Sequence, residues 1–135
     1  MKKQVFNSYL PEHAYVPDGE PHLFNGSVYI YGSHDKAFGT KYCEGNYVTW
    51  SAPEDDLSDW RYEGEIYKRT QDPSNADDSM QLWAPDVTQG PDGRVYLYYG
   101  FAPACEKEML LPNPDRWKQC WLINRYQQRC LSVLP

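Results

Sequence analysis

The chain has 135 residues and a net charge of −6, which fits a single domain and argues against nucleic acid as a partner, because phosphate binding needs a basic surface. Aromatic residues make up 16% of it, with 12 tyrosines and 5 tryptophans, a mix that suits twisted antiparallel sheets better than a helical bundle. No stretch is apolar for long enough to cross a bilayer, so no membrane partner is expected.

In chain order, Met1-Lys2-Lys3 opens with basic residues, but the segment up to Pro11 lacks the apolar run of an export signal. A cytoplasmic, reducing setting is the expectation. Cys43, Cys105, Cys120 and Cys130 then read as free thiols, without metal-ligand spacing, and Cys43 as a buried or idle one. Strands are expected at Val28–Gly32, Tyr47–Ser51, Arg61–Tyr67 and Val95–Tyr99, where aromatic and β-branched residues alternate or cluster. Turn chemistry separates them at Pro53–Asp56, Asp72–Asn75 and Gly90–Gly93. Trp50 and Trp60 are expected to pack between sheets. The fold class is all-β.

One unit occurs twice. Pro17-Asp18 leads through Asn25-Gly26 into the strand ending at Tyr31-Gly32, and Pro85-Asp86 leads through Asp92-Gly93 into the strand ending at Tyr99-Gly100. The aspartates are 68 residues apart, and Tyr31 and Tyr98 are 67 apart. Repeats of this size point to stacked or radial architectures whose units bury their apolar faces against one another. Two carboxylates at equivalent strand starts of neighbouring units would converge near a central axis. In an aromatic groove, such carboxylates are the apparatus for breaking glycosidic bonds, one protonating the leaving oxygen and the other activating water or attacking the sugar. From spacing alone the signal is weak, since an aspartate after proline in a turn more often caps local backbone N–H groups than catalyses.

After Ala104 the character changes. Residues 1–104 hold 8 basic and 16 acidic side chains, whereas residues 105–135 hold 5 and 3, together with three of the four cysteines. Asn113-Pro114-Asp115 has the form of a helix start, and Trp117, Cys120 and Trp121 follow at helical spacing, so a short C-terminal helix is expected. The chain is accordingly divided into blades over 1–103 and a divergent tail over 104–135, read as the product of a frameshifted or truncated gene.

Asp18-Gly-Glu-Pro-His-Leu-Phe24, Val28-Tyr-Ile-Tyr-Gly-Ser-His-Asp35, Trp50-Ser51, Leu57-Ser-Asp-Trp60 and Trp83-Ala-Pro-Asp-Val87 occur in an order that resembles the N-terminal part of glycoside hydrolase family 43. The resemblance covers about residues 4–103. It implies a partial five-bladed β-propeller and an inverting hydrolase acting on xylose- or arabinose-containing oligosaccharides, as a β-xylosidase or α-L-arabinofuranosidase. By the same resemblance Asp18 is the general base, and Asp86 is the carboxylate that raises the pKa of the general acid. The acid itself is a glutamate on a later blade, absent from this chain. Glu106 and Glu108 match no family motif. The usual Ala-Asp-Pro around the base is here Pro17-Asp18-Gly19, with Glu20 as a weaker competitor.

Inversion requires acid and base roughly 6.5–9.5 Å apart, leaving room for the water. His34, Asp35 and Trp83 are expected to line the substrate pocket, although a local hydrogen bond suits the His-Asp pair and a packing role suits Trp83. No cofactor is expected; some relatives hold calcium at the propeller axis, but the chain has no complete ligand set and no metal site is assigned. The expected ligand is an oligosaccharide. Two other readings stay open: a non-catalytic carbohydrate-binding module, and an interaction protein that completes its sheet with a partner, including self-association through open sheet edges.

Overall fold

The computed structural model describes residues 9–103 and 129–133. They form two antiparallel sheets. The first runs in chain order through β1 (Glu20–Phe24), β2 (Ser27–Gly32), β3 (Tyr47–Pro53) and β4 (Arg61–Tyr67). The second comprises β5 (Met80–Gln89), β6 (Val95–Pro103) and β7 (Arg129–Val133). Such consecutive meanders are the blades of a propeller, and the fold is a partial one. The stretch expected to form a C-terminal helix lies outside the described residues, whereas Arg129–Val133 pairs with β6.

Local chemistry explains the hairpins. Asn25 and Gly26 both take positive φ (50° and 78°), the two-residue turn whose twist matches that of the paired strands. Its register places His22 opposite Tyr29 and Glu20 opposite Tyr31. In the β5–β6 turn, the Gly93 N–H donates to the Gly90 carbonyl at 3.0 Å and Asp92 Oδ1 accepts the Arg94 N–H at 3.1 Å. β4 slips register against β3 in two places, and its Glu63 and Glu65 carry charge on the outer edge of the sheet, features that make an edge a poor template for further pairing.

The core lies between the sheets. Tyr47 and Tyr67 of the first sheet meet Leu82, Val87, Leu97, Tyr99 and Phe101 of the second, with Phe24 and Tyr31 packed at the margin. Leu82 and Leu97 are wholly buried, worth about 1.5–3 kcal/mol each. On β3, alternation turns Val48 and Trp50 to the opposite face. There the segment before β1 covers them, pressing Val16 against Gly32, where a Cβ would collide with Val16 Cγ1 and lie 3.2 Å from the Pro17 carbonyl. Trp50 packs on Tyr62 and Trp60 on Tyr9, with ring centres 5.1 and 5.4 Å apart. Both tryptophans therefore pack on aromatic neighbours, Trp50 on the outer side of the first sheet rather than between the two.

The connector from β4 to β5 is tied down by buried polar groups. Asn75 donates to the Arg69 and Met80 carbonyls and accepts the Met80 N–H. Buried Asp72 accepts from the Ser74 N–H and hydroxyl, and from the Tyr99 hydroxyl at 2.8 Å. Tyr99 in turn accepts from the Tyr67 hydroxyl at 3.1 Å, so one phenol joins both sheets and the connector. Burial, and then the bonds with Tyr67 and Asp72, push that phenol's pKa well up. Tyr99→Phe keeps the ring and deletes both bonds, and is expected to lower unfolding stability by about 1–3 kcal/mol, read from urea denaturation with an unchanged slope.

Candidate functional site

Strand periodicity dictates where Asp86 must point. Side chains alternate faces along a strand, so Leu82 and Asp86 would share the core face if β5 were regular. Leu82 and Val87 are nevertheless both buried in the core. The parity changes because β5 carries one extra residue: Trp83 pairs with Gly100 and Asp86 with Tyr98, leaving Ala84 and Pro85 opposite Tyr99 alone. Ala84 is forced to φ 35°, a strained value for a residue with a Cβ. Pro85 lacks the N–H that such a bulge would strand, and it is fully buried. The bulge turns the Asp86 carboxylate outward, at 60% side-chain exposure.

The remaining backbone groups of the bulge find partners on the other sheet. The Ala84 N–H donates to Ser33 Oγ at 3.1 Å, and Ser33 Oγ donates to the Leu82 carbonyl at 3.3 Å. The Tyr47 hydroxyl donates to the Trp83 carbonyl at 2.8 Å. Trp83 is thus fixed through its backbone. Its indole Nε1 is buried with no hydrogen-bond partner among the described residues.

Asp18 stands two residues before β1 at φ 55°, a left-handed conformation that aspartate tolerates better than most residues. Burial raises its pKa above the ordinary 3.8, and the nearby carboxylates of Asp35 and Glu20 raise it further. Asp35 is itself held, its Oδ1 accepting the Cys43 N–H at 2.6 Å, and Cys43 is buried as expected. Tyr47 links the two halves. Burial above all pushes its phenol pKa up, with Asp18 among the charges that add to the rise, while its hydroxyl reaches Trp83.

The expected residues thus fall into three places. Asp18, Asp35 and Glu20 form an acidic cluster at the head of β1. Asp86 lies on β5 beyond the bulge, so the two aspartates do not occupy equivalent strand starts: one precedes its strand and the other sits inside. His34 lines a separate cavity of about 190 Å³ with His13, Val48, Trp50 and Tyr62, on the outer side of the first sheet. Trp83 stands at the bulge, beside Asp86 in sequence. Among the described residues no three or more His, Cys, Asp or Glu side chains, the acidic cluster included, are placed so that they could hold one metal ion.

One site residue escapes sequence reasoning. His22 of β1 places Nε2 2.7 Å from Asp86 Oδ1, across the two sheets. Its position beside Phe24 on the inward face of β1 is the sole sequence signal, and it says nothing of a partner 64 residues away.

If Asp18 is protonated more readily in the folded state than in the unfolded chain, linkage has a definite sign. Its contribution is fully present below pH 3.8 and is lost as pH rises through the raised folded value. Asp18→Asn removes this term, so the variant is expected to gain stability relative to the parent as pH climbs from about 3 to 7. Urea midpoints of both proteins across that range would expose the opposite trend.

No protein-family model matches the sequence. A xylosidase/arabinosidase of Thermoclostridium stercorarium is 65% identical over 99 residues, covering 73% of this chain and 21% of that protein. Xylosidase/arabinosidase 43A of Humicola insolens is 36% identical over 102 residues, covering 70% of this chain and 29% of its own length. The chain therefore spans between a fifth and a third of the relatives it matches. In fold it resembles the solved structure of the β-xylosidase RS223, with a TM-score of 0.52 at 23% identity, covering 76% of this chain and 32% of that one. The two meander blades, the ordered motifs and the similarity to these two xylosidase/arabinosidases agree with the expected resemblance to the N-terminal part of glycoside hydrolase family 43.

Proposed function

We propose that the chain contributes the general base and the modulating carboxylate of an inverting glycosidase acting on xylose- or arabinose-containing oligosaccharides. The observation that carries this reading is the placement of Asp18 just before β1 and of Asp86 within β5, the first strands of two adjoining sheets, each in an irregular backbone that sets its carboxylate apart from the core.

The two environments suit the two roles. A base acts best with a proton affinity drawn toward the working pH while it remains ionised there, and partial desolvation of Asp18, followed by the nearby Asp35 and Glu20 charges, acts in that direction. In the reaction, Asp18 takes a proton from water as the water oxygen attacks the anomeric carbon from the face opposite the leaving group. The glycosidic oxygen leaves with a proton from a general acid, and the anomeric configuration inverts. Asp86, as a second carboxylate near that acid, disfavours its ionisation and keeps it protonated until needed. The acid belongs to a blade beyond the two described here, so this chain is proposed to bind sugar without turning it over.

Purified 135-residue chain is expected to release no xylose or arabinose from aryl β-xylosides or aryl α-arabinofuranosides, yet to bind xylobiose in calorimetric titration. Sugar release that disappears in Asp18→Asn would show a complete site and overturn the assignment of the acid to another blade. Absence of binding to both xylo- and arabino-oligosaccharides would remove the carbohydrate reading altogether.

A further inference from the structure

We propose that His22 is a positioning residue that fixes the orientation of the Asp86 carboxylate and the spacing of the two carboxylate-bearing strands. The proposal rests on the reading of Asp86 as a site carboxylate.

Asp86 stands on a bulge with most of its side chain in solvent, and an exposed carboxylate with no further restraint samples several rotamers. Two donors prevent this. Asp86 Oδ1 accepts the Val87 N–H at 2.8 Å and lies 2.7 Å from His22 Nε2. An ionised carboxylate only accepts, so Nε2 carries the proton in this bond. Two fixed donors on one oxygen define the carboxylate plane, and Oδ2 becomes the oxygen through which Asp86 acts on a neighbouring group.

The imidazole is itself restrained. It stacks on Phe24 at 5.9 Å with an interplanar angle of 8°, and meets Tyr31 at 6.1 Å and 59°. Those two rings pack on the core between the sheets, so the imidazole has a rigid backing. His22 also lies four residues beyond Asp18 on the same segment. A bond from β1 to Asp86 therefore sets the distance between the Asp18 and Asp86 strands, as well as the angle of one carboxylate. Catalytic geometry is sensitive to displacements of this size, since about 1 Å of misplacement is enough to cost roughly 100-fold in rate.

Two substitutions in the full 135-residue chain separate the bond from the packing. His22→Phe keeps an aromatic ring for the stack and loses the donor; His22→Gln loses the ring and keeps an N–H donor. In isotope-labelled protein, His22→Phe is expected to move the Val87 amide and Asp86 carboxylate resonances and to weaken xylobiose binding about 5-fold, as loss of one hydrogen bond would. His22→Gln is expected to restore both toward the parent, with the two variants unfolding at similar temperatures. Unmoved Val87 and Asp86 resonances in His22→Phe would overturn the proposal, as would equal displacement in both variants. If the parent binds no xylobiose, the carbohydrate reading fails while the resonances still decide the role of His22.

Discussion

Three backbone groups at Leu82, Trp83 and Ala84 are satisfied by hydroxyls from across the sheet interface, Tyr47 of β3 and Ser33 just after β2, and the rest of the arrangement depends on this. A bulge interrupts the ladder of its own sheet, and a stranded polar group in the interior is costly. Here the first sheet supplies what the second cannot. The strained Ala84 conformation persists because the surrounding bonds over-determine it. The extra residue changes the parity of β5, which allows Leu82 and Val87 to share one core while Asp86 faces out. Sheet packing and site geometry are therefore one constraint.

The same constraint distinguishes the two aspartates. Both are exposed, but Asp18 stands in a left-handed turn where partial desolvation and two neighbouring carboxylates raise its pKa, whereas Asp86 is held by a histidine and a backbone N–H. Two chemically identical groups thus stand in different environments, the arrangement on which the proposed division of roles rests.

Much of the fold was legible in the sequence. β2, β3, β4 and β6 announce themselves by alternation, and Asn25-Gly26 by its turn chemistry. β1 and β5 do not, because Pro21 and Pro85 lie within them and proline usually ends a strand. An edge position tolerates Pro21 and a bulge tolerates Pro85, but both conditions are tertiary. The apparent symmetry of the two Pro-Asp pairs was misleading for the same reason, since only the register reveals that one lies before a strand and the other inside. Asp18 and Asp86 are singled out by ordered motifs alone, as residues proposed for the site. His22 was not, because its significance comes from a partner on another sheet, and His34 faces a cavity that the segment before β1 creates by folding over the outer side of the blade.

The bonds that join the sheets span long stretches of chain: 36 residues from Tyr47 to Trp83, 49 and 51 from Ser33 to Leu82 and Ala84, and 64 from His22 to Asp86. Each hairpin closes locally, but these joints form only after about a quarter of the chain or more has been brought back on itself, and such non-local closure slows folding. The strained Ala84 conformation is therefore held by groups distant in sequence, and the setting of Asp86 depends on both sheets being in place at once.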